Sequence, residues 1–191
     1  MTDPTFSICI PTYQNHTRLH NLLKSIDENT LMNYEIVIND NSFEPIGFPK
    51  ATNDCMKRAK GDYIVLLNDD VIVESLWLEK MYSKLISDEK TGLVGPDSVR
   101  NDNWGNPHTS FFCVIFHRKM LEEIGYLDER FGIGCVEDVD YCKRLVDKGY
   151  KIVAINIPVR HEGSKTFPKI KPVQDLITEG TKLYKEKWGY K

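Results

Sequence analysis

Gly61-Asp-Tyr-Ile-Val-Leu-Leu-Asn-Asp-Asp-Val71 is the stretch on which the fold turns. Tyr63 to Leu67 is an unbroken run of apolar or aromatic residues that stops abruptly at Asn68, Asp69 and Asp70. A short apolar run between a glycine and a polar cluster predicts a strand from Asp62 to Leu67, buried on both faces. Strands of that kind belong to parallel sheets covered by helices on either side.

Upstream the same unit recurs. Phe6 to Ile10 is an apolar run ended by Pro11, and from Thr17 the residues Leu19, Leu22, Leu23 and Ile26 follow helical spacing. Tyr34 to Ile38 predicts a second strand closing on Asn39, Asp40, Asn41 and Ser42. Pro49 to Lys60 predicts a helix with Ala51, Cys55, Met56 and Ala59 on one face. A further helix is expected from about Ser75 to Ser87, directly after the Asp69 and Asp70 turn. Strand-helix units in succession imply a mainly parallel α/β sheet, in which ligands bind beyond the carboxyl ends of the strands. Pro11 to Tyr13, Asp40 and Asn68 to Asp70 should therefore meet along one edge.

Downstream the pattern loosens. Short strands are expected at Leu93 to Gly95 and Phe111 to Phe116, separated by a polar loop from Val99 to Thr109. Helices follow at Arg118 to Ile124 and Val136 to Lys148, then strands at Tyr150 to Ile155 and around Val159, and an amphipathic helix from Val173 to Trp188.

The chain's 191 residues suffice for one substantial core, so a single domain over 1–191 is expected. Its 25 basic and 28 acidic residues are scattered along the sequence, which concentrates no field for nucleic acid or an anionic membrane. Five cysteines without a CxxC pair indicate a reducing compartment, and no window approaches the ~18 apolar residues of a membrane span. With Met1-Thr-Asp-Pro4 in place of a leader, a cytoplasmic protein is expected.

Chemistry concentrates in the acidic positions. Asp69 and Asp70 repel one another, and a divalent cation offsets that repulsion; an amide-capping role for the following helix is the alternative. Glu137 and Asp138 sit in the first turn of a helix, where the dipole favours anions in any protein but where a base for a hydroxyl could also stand. Asp140 has Arg144 four residues on and reads as an ion pair. His161, after a strand, could complete a carboxylate-rich Mn²⁺ or Mg²⁺ site or serve as an ordinary packed histidine. Trp104, in a loop of Asn103, Gly105 and Asn106, suits either stacking on a sugar face or loop packing.

Taken in order, five segments resemble glycosyltransferase family 2, the nucleotide-sugar transferases of GT-A fold: Ser7 to Tyr13, Tyr34 to Ser42, Gly61 to Val71, Glu137 to Arg144, and Arg160 to Gly163. Leu127-Asp-Glu-Arg-Phe131 before the acidic helix adds to the resemblance. It implies a nucleotide-binding half at 1–97 and an acceptor and catalytic half at 98–191. It implies that Pro11, Thr12 and Tyr13 lie against the nucleotide, that Asp40 bonds the base, and that Lys50 and Asn53 approach the donor. Asn68, Asp69 and Asp70 take the family's DxD position, with Asp70 as metal ligand alongside His161 and Asp69 near the ribose or metal. Asp138 takes the place of the catalytic base, Glu137 orients the acceptor, and Trp104 is assigned to acceptor binding. Asn68 departs from the first Asp of that pattern, Asn39 replaces a frequent Asp beside Asp40, and Ser110 stands where many relatives have Gly.

The implied activity is inverting transfer from a nucleotide-diphosphate sugar, of uridine or thymidine type, to a hydroxyl on a growing glycan. The short stretch after Trp188 leaves acceptor choice to another domain or chain. Two rivals remain: a non-catalytic nucleotide-sugar-binding module, and a sugar nucleotidyltransferase, against which Pro11 to Arg18 offers no glycine-rich phosphate loop.

Overall fold

The computed structural model describes residues 5–96, 99–163 and 170–191. Its centre is a six-stranded sheet in the order β2-β1-β3-β8-β5-β9. The first three of these strands are β1 (Phe6–Thr12), β2 (Tyr34–Asp40) and β3 (Tyr63–Leu67); β5 is Thr91–Pro96, β8 is Cys113–His117 and β9 is Lys151–Ile155. The pairs β1 with β2, β1 with β3, and β5 with β9 are parallel, whereas β8 runs antiparallel to both β3 and β5. The sheet is thus mixed and mainly parallel, the GT-A arrangement, and strand β8 from the second half of the chain lies between strands of the first. The boundary expected at 97/98 falls outside the described residues.

Alternation along the strands explains why both faces are covered. In β1, Phe6, Ile8 and Ile10 enter one core with Leu22 and Ile26 of α1 (His16–Asn29) and Trp77 and Met81 of α3 (Trp77–Ile86). Cys9 points the other way, into a second core with Cys55 and Met56 of α2 (Phe48–Arg58) and Tyr141 and Leu145 of α5 (Glu137–Asp147). In β3, Val65 and Leu67 join the first cluster and Ile64 and Leu66 the second. The period of 2 in side-chain direction makes an all-apolar run feed two cores at once. Each fully buried Leu, Ile or Val contributes ~1.5–3 kcal/mol relative to exposure. Ser7, the polar exception in β1, is satisfied: its hydroxyl donates to Glu35 (2.7 Å) and accepts from the Gly61 amide (2.7 Å).

Two elements were not visible in the sequence. Val71–Val73 forms a short strand, β4, before α3, and it pairs antiparallel with β10 (Val159–His161). Helix α3 therefore begins at Trp77 rather than Ser75. Three residues are too few for periodicity to register, and the partner lies some 90 positions on in the chain. Within the polar loop, β6 (Arg100–Asn101) and β7 (Pro107–His108) form a small hairpin. Asp102 closes it by accepting the amides of Trp104 and Asn106 (both 2.8 Å), a turn chemistry that Asp side chains favour. The remaining helices are α4 (Lys119–Glu123) and α6 (Val173–Trp188).

Candidate active site

The chain leaves β1 to form β2 on one side and β3 on the other, so β1 and β3 part at their carboxyl ends, where a crevice opens. Pro11, Thr12 and Tyr13 at the end of β1, with Asn68, Asp69 and Asp70 at the end of β3, line a cleft of ≈ 580 Å³ there. Gly47 and Phe48 at the start of α2, with Ile133, form the opposite wall. Gly47 has φ of +88°, and a methyl group on it would overlap the Gly132 carbonyl. Only glycine satisfies both constraints.

Asp69 is 4% exposed, and its two carboxylate oxygens accept from Thr12 Oγ1 (2.6 Å) and Asn15 Nδ2 (2.8 Å). Burial still raises its pKa above the usual aspartate value, those two bonds pulling against it. Asp70 is equally buried but differently held. Its Oδ1 stands 3.0 Å from His161 Nε2, yet neither atom has the alignment of a hydrogen bond with any partner. The β4–β10 pairing brings them together: His161 is in register with Val71, and the Glu162 amide donates to the Asp70 carbonyl (2.9 Å). Phe112 stacks on the imidazole (4.3 Å between centroids, 12°) and fixes its plane. A carboxylate oxygen and an imidazole nitrogen, buried 3.0 Å apart and neither in a hydrogen bond, are donor types a divalent cation takes. Among the described residues no third His, Cys, Asp or Glu completes a protein-only cage. The residues present therefore fit a cation that draws its remaining ligands from water and substrate phosphates, the usual manner of Mg²⁺.

A second chamber of ≈ 830 Å³ shares Phe48 and Asn68 with the first and continues past Ser110, Phe112, Cys135, Val136 and His161 to Glu137 and Asp138. The Oδ1 of Asn68 is buried without a partner between the two chambers. Glu137 is 5% exposed, and its Oε2 has no partner. Burial, and then the neighbouring Asp138, push its pKa up to about 8. Burial also raises Asp138; the Val139 amide (2.8 Å to Oδ1) and the charges of His108 and Arg100 oppose it. No side chain caps α5, and the two residues before it, Cys135 and Val136, both have φ of +74°. A β-branched residue in that region is strained, a condition concentrated at functional sites.

The other expected residues divide. Asp40 ends β2 in register with Thr12 and is half-exposed; its carboxyl accepts from Ser42, which lowers its pKa, and pairs with His16 (3.1 Å). Its neighbour Asn41, rather than Asp40, lines the cleft. Lys50 is exposed and outside both linings. Asn53, expected near the donor, donates through its amide to the Leu127 carbonyl and Glu129 (both 2.9 Å) and accepts from the Leu127 amide (3.0 Å). Those bonds tie α2 to the turn at Glu129–Phe131 and engage both amide hydrogens. Trp104 is also outside both linings, its ring stacked on Tyr190 at 4.7 Å and 7°. Asp140 is the ion-paired residue its spacing suggested, held by Arg144 (3.0 Å) and also by Lys187 (2.7 Å) and Trp188 (3.1 Å). Sequence reasoning missed Gly47, Phe48 and Ile133; the Gly47-Phe48-Pro49 helix start carried the signal for the first two, and Ile133 had none.

Residues 44–120 match the family model described as glycosyl transferase family 2. O-antigen biosynthesis protein RfbC of Myxococcus xanthus is 27% identical over a region covering 57% of this chain and 11% of that protein. Among solved structures, the mannosyltransferase PcManGT from Pyrobaculum calidifontis, in complex with GDP-Man and Mn2+, superposes with a TM-score of 0.67 at 17% identity, covering 82% of this chain and 56% of that one. S. aureus TarS 1-349 gives 0.61 at 15% identity, covering 80% and 58%. The chain thus spans little more than half of these two structures and about a tenth of RfbC. Among the described residues no helix is long and apolar enough to cross a membrane.

Proposed function

Since this chain is a relative of glycosyl transferase family 2 built on the GT-A fold, we propose that it transfers a sugar from a nucleotide-diphosphate donor to an acceptor hydroxyl with inversion, in the assembly of a glycan in the cytoplasm. The observation that carries the reading is the continuity of the cleft: Asp70 lines the first chamber, Glu137 and Asp138 line the second, Asn68 lines both, and His161 on the second chamber's wall stands 3.0 Å from Asp70. That is the arrangement a displacement needs, with leaving group and attacking hydroxyl on opposite sides of the transferred carbon.

In this mechanism the nucleotide lies against Pro11 to Tyr13 and the Gly47–Phe48 wall, with Asp40 and Asn41 at the base and Asp69 toward the ribose. Asp70 and His161 would hold Mn²⁺ or Mg²⁺, which when bound offsets charge on the departing diphosphate. Asp138 takes the proton from the acceptor hydroxyl as its oxygen forms the new glycosidic bond. Glu137, whose raised pKa keeps it protonated at neutral pH, donates a hydrogen bond that orients the acceptor. Lys50, exposed at the first turn of α2, can reach donor phosphates only from outside the cleft, and Trp104 only an acceptor extended beyond it.

Thermal stabilisation by UDP-, dTDP- and GDP-sugars, with and without Mn²⁺, tests donor binding, because a ligand that binds the folded state raises stability with its occupancy. Metal-dependent stabilisation accompanied by slow donor hydrolysis is expected. A binding module without turnover is the second reading, favoured by Asn68 in place of a carboxylate; tight binding with no hydrolysis or transfer to any acceptor would establish it.

A further inference from the structure

We infer that Gly180 is a positioning residue for Glu137 and Asp138: having no side chain, it lets α6 lie against the backbone of Cys135 and Val136 and hold the turn that aims the first residues of α5 into the cleft. The inference rests on the reading of those two acids as the acceptor-side pair. A glycine inside a helix is less favourable than alanine, so its presence mid-way along α6 needs a cause. The cause is contact. A methyl group at Gly180 would stand 2.7 Å from the Cys135 carbonyl oxygen, 2.9 Å from Val136 Cγ2 and 3.1 Å from Val136 Cβ.

The turn needs such a support. Cys135 and Val136 hold strained left-handed conformations, which persist only when the surroundings over-determine them. No side-chain cap secures α5. At the other end of the segment the Phe48 amide donates to the Ile133 carbonyl (2.9 Å), and Gly47 abuts Gly132. The stretch is therefore gripped at the donor wall by Gly47 and Phe48, and at the carboxylates by Gly180, 42 positions along the chain from Asp138.

Gly180→Ala tests this, because alanine favours the helix itself and any loss must come from the contact. Cys135 is a built-in reporter: it is half-buried while the other four cysteines are buried. In G180A the rate of Cys135 alkylation by iodoacetamide is expected to rise, and kcat for transfer or donor hydrolysis to fall about 10- to 100-fold. Binding of UDP or GDP with Mn²⁺ should be unchanged. Val136→Gly added to G180A removes two of the three clashing atoms and accepts a positive φ freely, and should restore part of the lost turnover and slow the alkylation again. If G180A fails to fold, recovery of folding in the double variant supports the inference and its absence overturns it. Wild-type alkylation and turnover in a folded G180A would also overturn it, as would a loss of nucleotide affinity equal to the loss of turnover. If the unsubstituted chain neither hydrolyses nor transfers, the functional reading fails, while the alkylation rates still decide whether Gly180 sets the turn.

Discussion

Asp69 and Glu137 are carboxylates of nearly equal burial, 4% and 5% exposed, and burial raises the pKa of both, yet the fold treats them in opposite ways. Asp69 at the donor side receives a hydroxyl from Thr12 and an amide from Asn15. Glu137 at the acceptor side leaves Oε2 without a donor, beside Asp138 and after two strained residues. A buried acid that is fully bonded fixes geometry; one left unsatisfied costs stability and keeps its proton available. Asp69 on the donor rim is thus part of the scaffold, while Glu137 on the acceptor rim is left with an unmatched oxygen on a segment that the Gly47–Phe48 wall and α6 hold in place.

The largest effect that would break this contrast belongs to Asp138. Replacing it with Asn should lower turnover by about 10²- to 10⁴-fold, the usual worth of a positioned base. Nucleotide-sugar binding, followed calorimetrically, should survive. Retained turnover would remove Asp138 as base. On the donor side the expected loss is of stability. Asp69→Ala strands Thr12 and Asn15 in the interior and should cost ~2–4 kcal/mol in urea unfolding; a cost near zero would mean the two bonds do not anchor the β1 and β3 ends.

Between the two rims, Lys187 binds Asp128 (2.8 Å) and fully buried Asp140 (2.7 Å), docking α6. Asp140 keeps Arg144 and Trp188, so Lys187→Ala should cost only ~2 kcal/mol, less than an isolated buried pair would lose. A denaturant midpoint equal to the wild type's would show that α6 docks without it.

The smallest effect carries the sharpest sign. Glu137 has a folded pKa near 8 against an ordinary 4.5, so its ionisation is disfavoured in the folded state. Stability from this group is intact below the unfolded pKa and is lost as pH rises through the folded one. Glu137→Gln should leave the melting temperature unchanged at pH 4 and raise it progressively toward pH 8, by ~1 kcal/mol or more in equivalent stability. The matching substitution Asp69→Asn keeps an acceptor for Asn15 only by turning its NH2 on the Thr12 hydroxyl, which must then reverse to accept, so its gain toward pH 8 should be smaller than that of Glu137→Gln. Equal behaviour of the two variants would erase the distinction between the rims.

How much of this was legible in the sequence depended on distance along the chain. Strands β1, β2 and β3 and helix α6 lay close to where hydrophobic period placed them, because each element's burial pattern is local. The stop at Pro11 after β1 and the polar cluster ending β3 marked the cleft, since parallel strands gather their carboxyl ends. The bonds of Asn53 to Leu127 and Glu129 were not legible, because its polarity is equally consistent with them and with a ligand contact. The β4–β10 ladder was invisible, each partner being only three residues long.

The sequence by itself determined which strands are buried on both faces, where they stop, and that acids cluster at their ends and at one helix start. Tertiary structure alone decided that His161 faces Asp70, that Asp69 is satisfied while Glu137 is not, and that α6 meets the turn at Cys135 and Val136. The reason is physical: periodicity records which way a side chain points from its own element, whereas satisfaction, strain and pKa depend on what arrives opposite it from elsewhere in the chain.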